Sequence, residues 1–347
     1  MNSFIAVLLA QDGLTNGAIY ALLALVLVMV FSVTRIILIP QGEIVSYAAL
    51  TLATLQTHRV PGTVYLLVGG GLVVAGKDLW FYLRGRRDPR RLRSALLYLV
   101  VPAAIALLTW QASSLGLPEW ASMLITLLIV VPLGPILYRT VFEPIAGASV
   151  LVLLIVSVAI HLAMVGFGLL FFGPEGVRTP PLVTARGMVG GFMLSGQTGV
   201  VLAIAAVLIV LLFLFFEFSL SGKALRATTF NRTGARLVGI DPARAGNLAF
   251  FFAALIGAVS GILISSVTTI YYDTGFLIGL KGFVAAIFGG LVSYPLAALG
   301  ALFIGLLETF SSFWASAFKD VIVFALIIPV LLLRNFRAEI TEEEEEE

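Results

Sequence analysis

The sequence predicts an all-α, polytopic transmembrane helical bundle with broken helices, and three observations carry that expectation. Of the 347 residues, 60% are hydrophobic and only 12% charged, whereas a soluble domain is nearer a quarter charged. Mean hydropathy is +1.08. The apolar residues fall in runs close to the roughly 20 needed to cross a hydrocarbon core, separated by short polar blocks. The net charge of +2 sits in those blocks, so nothing suggests nucleic acid. With no cysteine, disulfides, thiol catalysis and thiolate metal sites are excluded.

Residues 1–34 hold no Lys or Arg, so a secretory leader lacks its basic start and the N-terminus is expected outside. Leu14 to Val33 makes the first span. In Ile36 to Glu43, Pro40 removes a helix donor and Gly42 loosens the backbone, and a second span follows from Ile44 to about Thr57. An unpaired acid deep in a bilayer costs about 2.5–3.5 kcal/mol or more, so Glu43 must face protein, a cavity or the interface. Residues 61–76 and 94–110 form a hairpin around a block of seven cations and two acids, which belongs inside as a solvated loop.

Glu119 to Tyr138 runs inward with kinks expected at Pro132 and Pro135, and Val150 to Phe172 runs outward. Residues 173–198 read as an ordered external loop, and Val200 to Phe216 returns. Leu248 to Ile270 carries small residues at every fourth position: Ala249, Ala253, Gly257, Gly261 and Ser265. That stripe lets another helix approach closely. Phe283 to Leu291 is too short to span, Ser293-Tyr294-Pro295 interrupts it, and Leu296 to Ser312 resumes. A last span runs from Lys319 to Leu333, and Arg334 and Arg337 place the C-terminus inside. The single transmembrane domain is expected over 1–340, with a disordered acidic tail over 341–347.

Between the apolar runs, residues 217–247 carry five cations (Lys223, Arg226, Arg232, Arg236, Arg244) against Glu217 and Asp241. Lys223 to Val238 holds helix formers without proline, and Gly239 stops the helix before Asp241-Pro242. Composition alone allows an ordinary positive-inside loop or a handle for a soluble partner.

The two interruptions, at Gln41, Gly42 and Glu43 and at Ser293, Tyr294 and Pro295, lie in opposite halves of the chain. Paired interruptions mark a translocation path where freed backbone groups line a polar cavity; kinks satisfied by neighbouring helices are the plainer account. Glu43 and Glu308 serve either as fixtures of such a path or as buried hydrogen-bonding posts. An intramembrane enzyme would need a nucleophile with a base, or a metal cluster. His58 lies at a membrane edge, His161 stands alone on an apolar span, and neither HExxH, GxSxG nor a Walker A sequence occurs. No enzyme, metal site or bound cofactor is expected. A secondary transporter using Glu43 or Glu308 for ion coupling is the rival class.

Several ordered stretches resemble the membrane-spanning permease subunit of the branched-chain (hydrophobic) amino-acid ABC importers. They are GLTNGAIYALLALVLVMVFSVTRI at 13–36, QGE at 41–43, GKALRA at 222–227 with VGI at 238–240, LKGFVAAIFGGLVSYPLAALGALFIGLLE at 280–308, SS at 311–312 and KDVIVFAL at 319–326. The resemblance implies a multi-pass protein of the bacterial inner (plasma) membrane, passing a small solute delivered by an external binding protein. It implies a second homologous permease subunit and two ATPase subunits that bind the ATP, besides membrane lipid. It makes 217–247 a cytoplasmic coupling loop whose short helix seats in the ATPase, with Gly222, Lys223, Ala224, Arg226, Ala227, Gly239 and Ile240 as coupling residues. Where the family has Asn-Phe-Ala-His before Gly-Glu, this chain has Leu38-Ile39-Pro40-Gln41. Phe230-Asn231 stands where an acidic pair is common, and the acidic tail replaces a Pro-Gly-rich end. The hairpin at about 61–115 is longer than the family requires and is expected at the periphery. Related permeases carry branched-chain amino acids, urea or short amides, and the sequence leaves the solute open.

Overall fold

The computed structural model describes residues 3–84, 89–189 and 192–332; Arg334, Arg337 and the acidic tail lie outside them. Eight helical segments among these residues are long and apolar enough to cross a membrane. The helices are α1 (Ser3–Thr34), α2 (Gln41–Gln56), α3 (Thr63–Leu83), α4 (Pro89–Ser113), α5 (Glu119–Val130), α6 (Leu133–Leu137), α7 (Val150–Phe172), α8 (Gly196–Phe218), α9 (Leu220–Phe230), α10 (Arg232–Leu237), α11 (Pro242–Ile264), α12 (Thr274–Phe288), α13 (Tyr294–Ala315) and α14 (Lys319–Ala325). An antiparallel hairpin of β1 (Arg186–Val189) and β2 (Phe192–Ser195) precedes α8, a small addition to the expected all-α architecture.

The chain forms two compact units. The central unit contains Met29–Pro181 and Val210–Gly279; the terminal unit comprises the described parts of Met1–Val28, Leu182–Ile209 and Leu280–Glu347.

In the central unit the stripe on α11 does what its spacing implies. Ala249, Ala253, Gly257, Gly261 and Ser265 are all buried. A methyl group on Gly257 would meet the Ile44 side chain at 3.0 Å, and one on Gly261 would meet the Ala48 Cβ at 2.8 Å, so the stripe is the seat of α2. Ile44, Ala48, Ile125, Ile129, Ala254 and Ala258 share one buried apolar cluster with Val64, Leu67 and Val74 of α3. The inward face of α3 is thus core, while α4 turns Leu96, Leu97, Val100, Leu107 and Trp110 outward.

The basic block after residue 76 departs from the expected solvated loop. Helix α3 continues to Leu83, and Asp78 is buried. Its carboxylate accepts from Arg139 Nη2 at 2.9 Å, while Arg139 Nη1 donates to Ser94 Oγ and Lys77 Nζ donates to the Arg139 carbonyl at 3.0 Å. Charges that find partners this close extend a helix that composition alone would end.

Pro132 breaks the next span as expected, ending α5 at Val130. A π-helical turn follows at Tyr138–Phe142, setting both rings against Phe250 at centroid distances of 5.0 and 5.4 Å. The segment after α7 is ordered by bonds to the end of α11. Val177 bridges Ile270, Thr179 and Ser265 share a hydroxyl bond of 2.7 Å, and Arg178 donates twice to the Ser266 carbonyl.

In the terminal unit, α1 and α13 cross through glycine. Methyl groups on Gly13 and Gly17 would each meet backbone of Leu306 or Leu302 at 2.9 Å, and one on Gly305 would collide with the backbone of Gly13 and Gly17. Helix α8 is tied to α1 by Gln11 Nε2 and Thr15 Oγ1, both donating to Thr198 Oγ1 at 3.1 and 3.2 Å.

Candidate functional site

Helix α1 ends at Thr34, and Arg35 takes a left-handed φ of 63°. The chain then runs without helix through Ile36 to Leu38 and restarts at Gln41. Residues Gln41, Gly42 and Glu43 sit on three sides of the first turn of α2, since successive helical residues point about 100° apart. Gln41 Nε2 donates to the Ala253 carbonyl of α11 at 3.0 Å. Gly42 faces the start of α12, where a side chain on either Gly42 or Gly275 would strike the other's backbone. Glu43 faces α7, where its Oε1 lies 2.7 Å from His161 Nδ1.

His161 is therefore not the solitary residue that the sequence offered. It is held by Glu43 and stacked on Phe276 of α12 at 4.6 Å between centroids, and Tyr47, one turn after Glu43, donates to the Met164 carbonyl at 2.6 Å. The pair spans 118 residues of sequence, and no local spacing signals it. Gln41, Glu43 and Ser46 on α2 and Ser260 on α11 are each 0% exposed. Among the described residues, Gln41 Oε1, Glu43 Oε2, Ser46 Oγ and Ser260 Oγ make no hydrogen bond. Leaving such a group unsatisfied costs about 1–3 kcal/mol, and four of them lie on α2 and α11.

Ser293, Tyr294 and Pro295 belong to the terminal unit. Helix α12 stops at Phe288, Gly290 and Leu291 take left-handed φ values of 61° and 58°, and α13 begins at Tyr294 with Pro295 in its first turn. The proline costs little there because first-turn N–H groups have no intrahelical acceptor. The structure thus forms both breaks, each within its own unit.

The terminal unit holds a second polar cluster, only one member of which drew notice in the sequence. Glu308 accepts from Tyr20 Oη at 2.6 Å and from Lys281 Nζ at 2.5 Å. Lys281 also pairs with Asp320 at 2.9 Å, without the alignment of a hydrogen bond. Four helices, α1, α12, α13 and α14, are pinned by this one ammonium and its acids. Lys281 carries no role in the sequence reading, yet it is 5% exposed. Glu308 makes the hydrogen bonds expected of a buried post.

The polar stretch after α8 folds as two helices where one was expected. Ser219 Oγ caps α9 by accepting from Gly222 N at 2.9 Å, and Asn231 Oδ1 caps α10 by accepting from Gly234 N at 2.9 Å. Asn231 competes for the backbone and splits the helix. Gly239, with φ of 85°, supplies the expected stop, and Asp241 caps α11. Gly222, Leu225 and Thr228 form the buried face of α9; Ala224 and Ala227 are half-buried, Ile240 likewise, and Lys223 is exposed. Arg226 is paired with Glu217 at 2.8 Å, an exposed bridge worth about 0.2–1 kcal/mol. Around these polar groups stand Leu220, Phe230, Leu237 and Val238, 76–90% exposed. No group of three or more metal-ligating residues is assembled among the described residues.

The chain is similar to known proteins over most of its length. The family described as the branched-chain amino acid transport system permease component matches residues 9–331. The high-affinity branched-chain amino acid transport system permease protein LivH of Escherichia coli (strain K12) is 26% identical over 329 residues, covering 93% of this chain and 91% of its own. The corresponding protein BraD of Pseudomonas aeruginosa is 29% identical over 242 residues, covering 67% of this chain and 78% of its own. Among solved structures, PsaBC from Streptococcus pneumoniae in complex with Fab aligns over 93% of this chain and 89% of its own, with a TM-score of 0.36 and 11% identity.

Proposed function

This chain belongs to the branched-chain amino acid transport permease family and is the multi-pass permease subunit of an ABC importer, and from that premise we propose how it is driven and what it carries. The solute is a branched-chain or other small amino acid, handed over by an external binding protein in the bacterial inner (plasma) membrane. The chain pairs with a second homologous permease subunit and two ATPase subunits. The ATP is bound by those partners, and this chain catalyses no reaction. The path is lined around Gln41, Gly42 and Glu43 and around Ser293, Tyr294 and Pro295; the unsatisfied polar atoms beside Gln41 and Glu43 support the first of these.

One observation carries the coupling assignment. Leu220, Phe230 and Leu237 on two short helices, and Val238 in the turn after them, are large, apolar and exposed outside the membrane-crossing segments. Exposed apolar side chains clustered in a polar loop are the anchors of a protein interface. Gly222 allows α9 to fold back on the end of α8, since a methyl group there would meet the Phe216 Cα at 2.7 Å. The half-buried Ala224 and Ala227 keep that helix slim. Lys223, and Arg226 once released from Glu217, face acids at the rim of the ATPase cleft, while Gly239 and Ile240 set the exit.

Replacing Phe230 or Leu237 with aspartate is expected to weaken ATPase association about 30-fold, the effect of losing one interface anchor worth about 2 kcal/mol. Both positions are exposed, so insertion and folding should be unchanged. Uptake in vesicles and copurifying ATPase are measured together; normal values for both variants refute the coupling assignment.

Sidedness has its own test in a chain without cysteine. A cysteine at the exposed Glu175 should react with an impermeant maleimide from outside, and one at the exposed Ser221 only from the cytoplasm. The reverse pattern would invert the arrangement.

A further inference from the structure

We infer that the cavity between α7 and the start of α12 binds a primary ammonium group carried on an apolar chain, with Asp273 as its counter-charge. The inference rests on the permease reading above and assigns residues to it.

The cavity lies within the central unit and has a volume of about 300 Å³. That is the volume of about ten water molecules at roughly 30 Å³ each, and it reaches the lower end of the range for small-molecule sites. Its wall is apolar over most of its extent, with Leu162 and Val165 from α7 and Phe276 and Leu277 from α12. Three polar side chains break that pattern, and one of them, Thr274, is occupied in accepting from Tyr271 N at 2.9 Å. His161 is fixed by Glu43 behind it and by the Phe276 ring. Asp273 is exposed at the cavity, and its carboxylate has no ion-pair partner among the described residues.

The charge pattern selects the ligand. A single carboxylate beside an apolar wall attracts a cation that carries its own hydrocarbon, and it repels a bare carboxylate. Glu43 is fully buried behind His161, so it acts as a positioning residue. Asp273 directly precedes α12, where aspartate and asparagine cap equally well. Asp273→Asn therefore keeps the capping capacity and removes only the charge.

The test uses the intact importer purified with its partner subunits, without the external binding protein. The tritiated probes are L-leucine, 3-methylbutylamine (the ammonium half) and 4-methylpentanoate (the carboxylate half). The wild type should bind leucine and the amine, and bind the acid at least tenfold more weakly. Asp273→Asn should weaken binding of leucine and the amine at least tenfold. Asp273→Glu should restore it to within about threefold, and Leu162→Trp, which fills the cavity, should abolish it. Equal affinities in wild type and Asp273→Asn overturn the assignment, as does equal binding of the amine and the acid, or binding of neither leucine nor the amine by the wild type. ATP-driven leucine uptake by the wild type and by Asp273→Asn is read alongside in vesicles, with the external binding protein supplied. Uptake with no dependence on Asp273 removes the cavity and leaves the permease intact. Amine binding that depends on Asp273 without leucine uptake keeps the cavity and removes the amino-acid solute.

Discussion

Replacing Lys281 with methionine is expected to destabilise the protein by about 3–5 kcal/mol, the cost of leaving the buried Glu308 without its cation. Lys281 is the only cation in contact with Glu308 and Asp320 among the described residues, and the Tyr20 hydroxyl supplies a bond but no charge. The methionine is close in length to the lysine stem, so packing changes little. Thermal aggregation in detergent, followed by size exclusion, reads the effect. Adding Glu308→Gln and Asp320→Asn to Lys281→Met should recover much of the loss, because it removes the stranded charges with the ammonium. A Lys281→Met variant as stable as the wild type would show that the acids are solvated by other means.

The second large effect is expected at the crossing of α2 and α12. A side chain on Gly42 would strike the Gly275 carbonyl, and one on Gly279 would lie 2.9 Å from the Gly42 Cα. These obstacles are backbone, which cannot swing aside as a side chain can. Gly42→Ala and Gly275→Ala should each cost about 3 kcal/mol, the upper end for overpacking, and stop uptake. Gly69→Ala on α3 and Gly166→Ala on α7 are the controls, since a methyl group there meets nothing within 4 Å. Those should be neutral or gain up to about 1 kcal/mol from helix propensity. Uptake by Gly42→Ala at the control level would mean that the helices separate easily at this point.

Sequence reading found what depends on local pattern. The bounds of α7 follow from an unbroken apolar run, and the stripe on α11 followed from a four-residue repeat that only close helix packing uses. Both breaks followed from proline and glycine chemistry. Features that depend on distant partners escaped it. Residues 77–83 read as loop because Lys77 and Asp78 are charged, and the partner that keeps them helical, Arg139, lies about sixty residues away. His161 and Lys281 gave no signal beyond being unusual in apolar surroundings. Asn231 was a local miss: its capping chemistry splits the helix expected over 223–238.

The left-handed residues at the two breaks have a mechanical consequence. Arg35 and Leu291 hold φ values of 63° and 58°, at roughly 1–2 kcal/mol each for a residue with a side chain. Glycine would take the same angles without that penalty, but it would take many others as readily. At the first break, where no glycine adjoins Arg35, the side chain narrows the corner to one setting. That corner then behaves as a rigid bracket rather than a hinge, and a displacement that reaches one end of the broken helix is carried around the bend; the second corner keeps a glycine, Gly290, beside Leu291.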